Sequence, residues 1–95
     1  EMTMKTKDFG ISCLLASHRC EMLGHELDTR GQVWIEWRDT ELTRKLEREF
    51  FSGTATVNLA DYLSSQKQIK TMIFNLRRQA YGDQEYELHR RTNVM

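Results

Sequence analysis

Met22-Leu23-Gly24-His25-Glu26-Leu27-Asp28-Thr29-Arg30-Gly31-Gln32-Val33-Trp34-Ile35-Glu36-Trp37 decides the fold class of this chain. Its second half alternates, with Val33, Ile35 and Trp37 on one side of an extended segment and Trp34 and Glu36 on the other. Period two in β-branched and aromatic residues is the pattern of a strand with one buried face. The first half repeats it less cleanly, with Leu23, His25 and Leu27 sharing a side. Asp28-Thr29-Arg30-Gly31 between them has the composition of a tight turn, because Asp bonds nearby backbone and Gly tolerates positive φ. The two halves read as an antiparallel hairpin.

Helical patterns lie on either side of it. Asp8 is a helix N-cap residue, and Phe9, Ile11, Leu14 and Leu15 follow with partial helical spacing, which predicts a helix over 9–18. Asp39 is expected to cap the next helix, with Glu41 in its first turn and Leu42, Leu46 and Phe50 forming an apolar stripe. Gly53 stands where a left-handed residue ends such a helix. Asn58 then opens a long helix that runs to about Ala80 and stops at Gly82. The expected fold is α+β, a small single domain of order α-β-β-α-α. A two-stranded sheet is marginal alone, so helices must cover one face, and a homo-oligomer, most simply a homodimer, is expected to add burial.

Residues 1–7 read as a flexible lead-in, 8–82 as the domain and 83–95 as a mobile tail or short third strand. Tyr86 and Leu88 alternate with Glu85 and Glu87 in that tail. Glu1 ahead of Met2 reads as a residue added before the natural start.

Ninety-five residues suffice for one modest core. Lys plus Arg and Asp plus Glu both number 14, so bulk charge argues neither for nor against a polyanionic partner. The balance is uneven along the chain: residues 1–53 carry eight cations against ten acids, and residues 54–95 six against four. No apolar run approaches the ~20 residues of a membrane helix, and no signal-peptide pattern is present, so no membrane partner is expected. Two cysteines make no disulfide framework, which suits a reducing cytoplasm.

The long helix holds the most suggestive surface. Tyr62 to Gly82 contains Lys67, Lys70, Arg77 and Arg78 and no acid. At about 100° per residue, Tyr62, Ile69, Met72, Ile73, Leu76 and Ala80 fall on a core side. The four cations fall on another sector, with Phe74 between the two and Leu63 on the side of Phe74. Cations flanking an aromatic suit a polyanion with stackable bases, DNA or RNA. The plainer account makes Phe74 and Leu63 core and the cations a solvated rim whose stems cover apolar surface. A third makes the face a contact for another protein. Trp34, on the side of its strand opposite Val33 and Ile35, is a second candidate anchor for such a partner unless a helix or a second subunit covers it.

Other constellations are weaker. Cys13, His18, Cys20 and His25 are zinc-ligand types, but their spacing straddles a helix and a strand rather than forming a Cys-x₂₋₄-Cys pair, and no metal or other cofactor is assigned. The ending Asn75-Leu76-Arg77-Arg78-Gln79-Ala80-Tyr81-Gly82 suggests the recognition helix of a winged helix, yet the hairpin precedes it instead of following. No phosphate-binding glycine loop, nucleophile elbow or His-Glu-x-x-His pair occurs, so no enzymatic activity is expected.

Four segments, in order, resemble a family of short uncharacterised domains found in bacteria and their phages. They are Thr6-Lys7-Asp8-Phe9; Met22-Leu23-Gly24 with Trp34-Ile35-Glu36-Trp37-Arg38-Asp39; Glu49-Phe50-Phe51-Ser52-Gly53-Thr54-Ala55-Thr56-Val57-Asn58; and Ile69-Lys70-Thr71-Met72-Ile73. The resemblance spans about residues 5–76 and implies a small cytoplasmic protein carried by a phage or mobile element, with no catalytic residue to transfer. The expected function is nucleic-acid binding through Lys67, Lys70, Phe74, Arg77 and Arg78. The alternative is a protein-interaction module, an inhibitor or adaptor of a host protein, anchored by Trp34 and Phe74.

Overall fold

The computed structural model describes residues 2–81, arranged as β1 (Thr3–Thr6), α1 (Phe9–Ser17), β2 (Met22–Leu27), β3 (Val33–Arg38), α2 (Glu41–Ser52) and α3 (Leu59–Tyr81). The class is α+β as the patterns predict, but the sheet has three antiparallel strands in the order β1-β3-β2. The extra strand comes from the N-terminal segment read as a flexible lead-in. Met4 lies opposite Trp37 and Thr6 opposite Ile35, so β3 is central and paired on both edges. The segment escaped a strand reading because Met4 is the one large apolar residue in Thr3–Thr6, and an edge strand needs no more. The suggested strand near the C-terminus lies outside the described residues.

The hairpin forms as expected, and its turn is built by one side chain. Asp28 Oδ1 accepts from the backbone N–H of Arg30 at 2.8 Å and of Gln32 at 2.9 Å, and Gly31 adopts φ 80°. The register differs from the simple alternation in β2. Met22 faces Trp37 and Gly24 faces Glu36, leaving Leu23 as the extra residue of a β-bulge. The bulge exchanges sides, so Met22 rather than Leu23 joins Leu27 against the core.

Val33, Ile35 and Trp37 are buried, and with Ile11, Cys13, Leu14, Leu15, Leu46 and Ile69 they form the core. Residues 11–15 of α1 are all buried, so this short helix is enclosed by the inward side of β3 and by α2 and α3. Asp8 caps it, Oδ1 accepting from Ile11 N–H at 2.9 Å.

α2 is capped by Thr40, not Asp39. Thr40 Oγ1 accepts from Thr43 N–H at 3.1 Å and Thr43 Oγ1 from Thr40 N–H at 2.8 Å, a reciprocal box built from two threonines. Asp39 instead pairs with Arg44 at 3.5 Å. The buried stripe is offset from the expected one: Thr43 is fully buried with Leu46, while Leu42 is 43% exposed. Gly53 ends the helix at φ 75°, as expected. In α3, Asn58 Oδ1 caps Asp61 N–H at 3.0 Å. Ile69 and Ser65 are buried, and Tyr62, Met72, Ile73 and Leu76 pack on the core, while Ala80 is exposed. Among the described residues no helix is long and apolar enough to cross a membrane.

Candidate functional site

α3 passes the start of α1 and the hairpin turn, and there its cations meet those of the N-terminal segment. A concavity of about 580 Å³ is lined by Lys5, Lys7 and Asp8 from β1 and the following loop, Phe9 from α1, Gln32 and Trp34 from the hairpin, and Ile73 and Arg77 from α3. A second, of about 350 Å³, is lined by Phe9, Lys70, Ile73, Phe74 and Arg77. Phe9, Ile73 and Arg77 belong to both, so the two adjoin and are treated together as one cleft.

Its cations rest on neutral groups. Lys7 Nζ lies 5.5 Å from the centre of the Trp34 ring and donates to Gln32 Oε1 at 3.0 Å. Lys70 Nζ lies 5.9 Å from the centre of the Phe9 ring. Arg77 Nε donates to the Gly31 carbonyl at 3.1 Å. Among the described residues none of these three makes an ion pair, whereas Lys5 pairs with Glu26 at 3.2 Å. Asp8 is the one acid in the lining of the two concavities, and its Oδ1 is committed to the α1 cap. The lining therefore carries Lys7, Lys70 and Arg77 without ion-pair partners among the described residues, against the single carboxylate of Asp8, beside two aromatic rings.

Trp34 is held firmly in this cleft. Its Nε1–H donates to Asp28 Oδ2 at 2.9 Å, so one carboxylate builds the turn and orients the indole. That indole bond, with the backbone bonds from Gln32 and Arg30, holds the Asp28 carboxyl below the usual carboxylate range. Trp34 is half-buried, on the sheet face opposite Val33, Ile35 and Trp37. Trp37 on the opposite face is 1% exposed.

The expected nucleic-acid set is thus divided. Lys70, Phe74 and Arg77 line the cleft, Phe74 half-buried. Lys67 and Arg78 are exposed on a flank of α3 turned about 100° from Arg77, and they line neither concavity. Lys5, Lys7, Phe9 and Gln32 were not legible as site residues. The available signal was the alternation of Thr3-Met4-Lys5-Thr6-Lys7, which puts both lysines on the side of the sheet that carries Trp34.

The metal-ligand types do not gather. Cys13 is buried in α1, where burial pushes its thiol up against the opposing pull of Lys70. His18 Nε2 contacts the Thr56 carbonyl at 3.0 Å, and His25 is exposed on β2. Among the described residues no three His, Cys, Asp or Glu side chains form a metal-holding group.

No family model, no curated protein and no solved structure matches this chain, so the resemblance over residues 5–76 finds no counterpart there.

Proposed function

We propose that this chain is a small non-enzymatic nucleic-acid-binding domain, acting in the cytoplasm, whose contact surface is the cleft between α3, the start of α1 and the hairpin turn. The observation that carries this reading is the convergence of Lys7, Lys70 and Arg77 with no carboxylate partner among the described residues. A phosphate chain supplies the missing negative charge, and it releases counterions when it binds. Three neutralised phosphates on a single strand predict that the logarithm of affinity falls by roughly 2 for each decade of salt.

The test is a titration of DNA and RNA oligomers at low and at moderate salt. Lys70→Glu should weaken binding sharply. Lys67→Glu, on the flank outside the cleft, should have the smaller effect. Absence of binding to every oligomer at low salt refutes the reading.

A protein-docking role is the second reading. Leu59 and Leu63, one turn apart on α3, are 70% and 53% exposed. Such binding would vary little with salt, and a stoichiometric partner recovered by pull-down would favour it.

A further inference from the structure

Two rings in the cleft, Trp34 and Phe9, each have a lysine ammonium over them, Lys7 in one case and Lys70 in the other. Neither ammonium has an acid partner among the described residues. Both residues line the same concavity, and each is half-buried. Trp34 is oriented from beneath by Asp28, and Phe9 stands at the first position of a capped helix, so neither ring has far to move. Resting on the proposed nucleic-acid role, we propose that this cleft takes single-stranded rather than duplex nucleic acid, with unstacked bases seated on Trp34 and Phe9. Lys7 and Lys70 occupy those rings in the free protein and swing to the phosphates when bases displace them.

Accessibility and charge together lead to this assignment. In a duplex the base faces are covered by their neighbours, so half-buried rings in the lining of a concavity find no base face to stack on. A single strand exposes base faces and phosphates at alternating positions along its length. That alternation suits a lining in which each ring has a cation beside it. The cleft side of α3 is not free to enter a major groove, because Ile73 packs on the core and Arg77 is tied to the Gly31 carbonyl. A flexible lysine over a ring is a weak contact at an exposed site, so exchanging it for a base and a phosphate is favourable.

The experiment measures affinity for an oligothymidylate and an oligouridylate of about ten nucleotides, and for a duplex of equal length, at low salt. Tryptophan fluorescence is followed in the same titration. Both single strands should bind and quench Trp34, the two arms separating a DNA source from an RNA one, and the duplex should bind at least tenfold more weakly. Trp34→Leu should lose about tenfold on single strands, within the range of one stacked base, and leave duplex affinity unchanged. Trp34→Phe, which keeps a ring without the N–H, should recover most of that loss. Lys7→Met should lower the salt slope by about 0.7 while quenching persists. The emission of buried Trp37 reports folding in every Trp34 variant.

Single-strand affinity unchanged in Trp34→Leu, or a duplex bound as tightly as the single strands, overturns the stacking proposal. If Lys70→Glu still weakens binding in that case, the charged cleft stands without it. If no oligomer binds, both fall together.

Discussion

Gly10 tests how α1 is held and, with it, the position of Phe9 in the cleft. It is the second residue of α1, where Ala would ordinarily be preferred by up to ~1 kcal/mol, and less near a helix end. A methyl group there would lie 2.9 Å from Phe50 Cζ, 3.0 Å from Phe50 Cε1 and 3.3 Å from Asp8 Oδ1. Carbon atoms in ordinary contact stand roughly 3.5–4.0 Å apart, so either the ring or the helix must yield by more than half an ångström. The Phe50 ring also packs edge-on against Phe51 with centroids 5.6 Å apart. Overpacking of this kind costs about 1–3 kcal/mol, which exceeds the propensity gain. Gly10→Ala should therefore destabilise the domain by about 1 kcal/mol, or about 4–8 °C in Tm. In a Phe50→Ala background only Asp8 Oδ1, at 3.3 Å, remains close to the methyl, and the same substitution should become nearly neutral. Urea unfolding of the four proteins in the cycle gives the coupling, expected at about 1–2 kcal/mol with m unchanged. A stabilising Gly10→Ala with Phe50 present, or an equal effect in both backgrounds, would refute the close approach of α1 and α2.

Two further outcomes follow from the hairpin. Because the bulge turns Met22 inward, Met22→Ala should cost about 1–2 kcal/mol and Leu23→Ala less, and equal midpoint shifts in urea would contradict that register. Asp28 is favoured as the carboxylate by its bonds from Trp34, Gln32 and Arg30, so its folded-state pKa lies below the unfolded one. The stability it contributes is present above the ordinary carboxylate pKa and is lost as pH falls below about 4 and through the folded value. An acid titration followed by tryptophan fluorescence should show this step, and Asp28→Asn should remove it; identical acid limbs would exclude the coupling.

Much of the fold is legible where local chemistry acts alone. Asp8 and Asn58 cap helices because a short polar side chain reaches an unpaired N–H within one turn, whatever lies beyond. Gly53 ends α2, and Asp28 and Gly31 make the turn, for equally local reasons. Thr40 displaced Asp39 as a cap because Thr43 stands three residues on to complete the box, a pairing masked by the acid beside it. The third strand was illegible because Thr3–Thr6 acquires its strand character from β3. Its pattern of one apolar residue between polar ones has meaning only against Trp37 and Ile35.

The site divides along the same line. Period-two and helical spacing in the chain determined the hairpin, the three helices, the outward side of Trp34 and the run of cations on the last helix. Tertiary packing decided which of those cations line the cleft. It turned Lys70 and Arg77 toward Phe9 and Gly31, left Lys67 and Arg78 on another flank, and brought Lys7 over Trp34. The physical reason is one of range. Capping and alternation depend on neighbours within a turn or a pleat, whereas a cleft depends on residues dozens of positions apart meeting around one core.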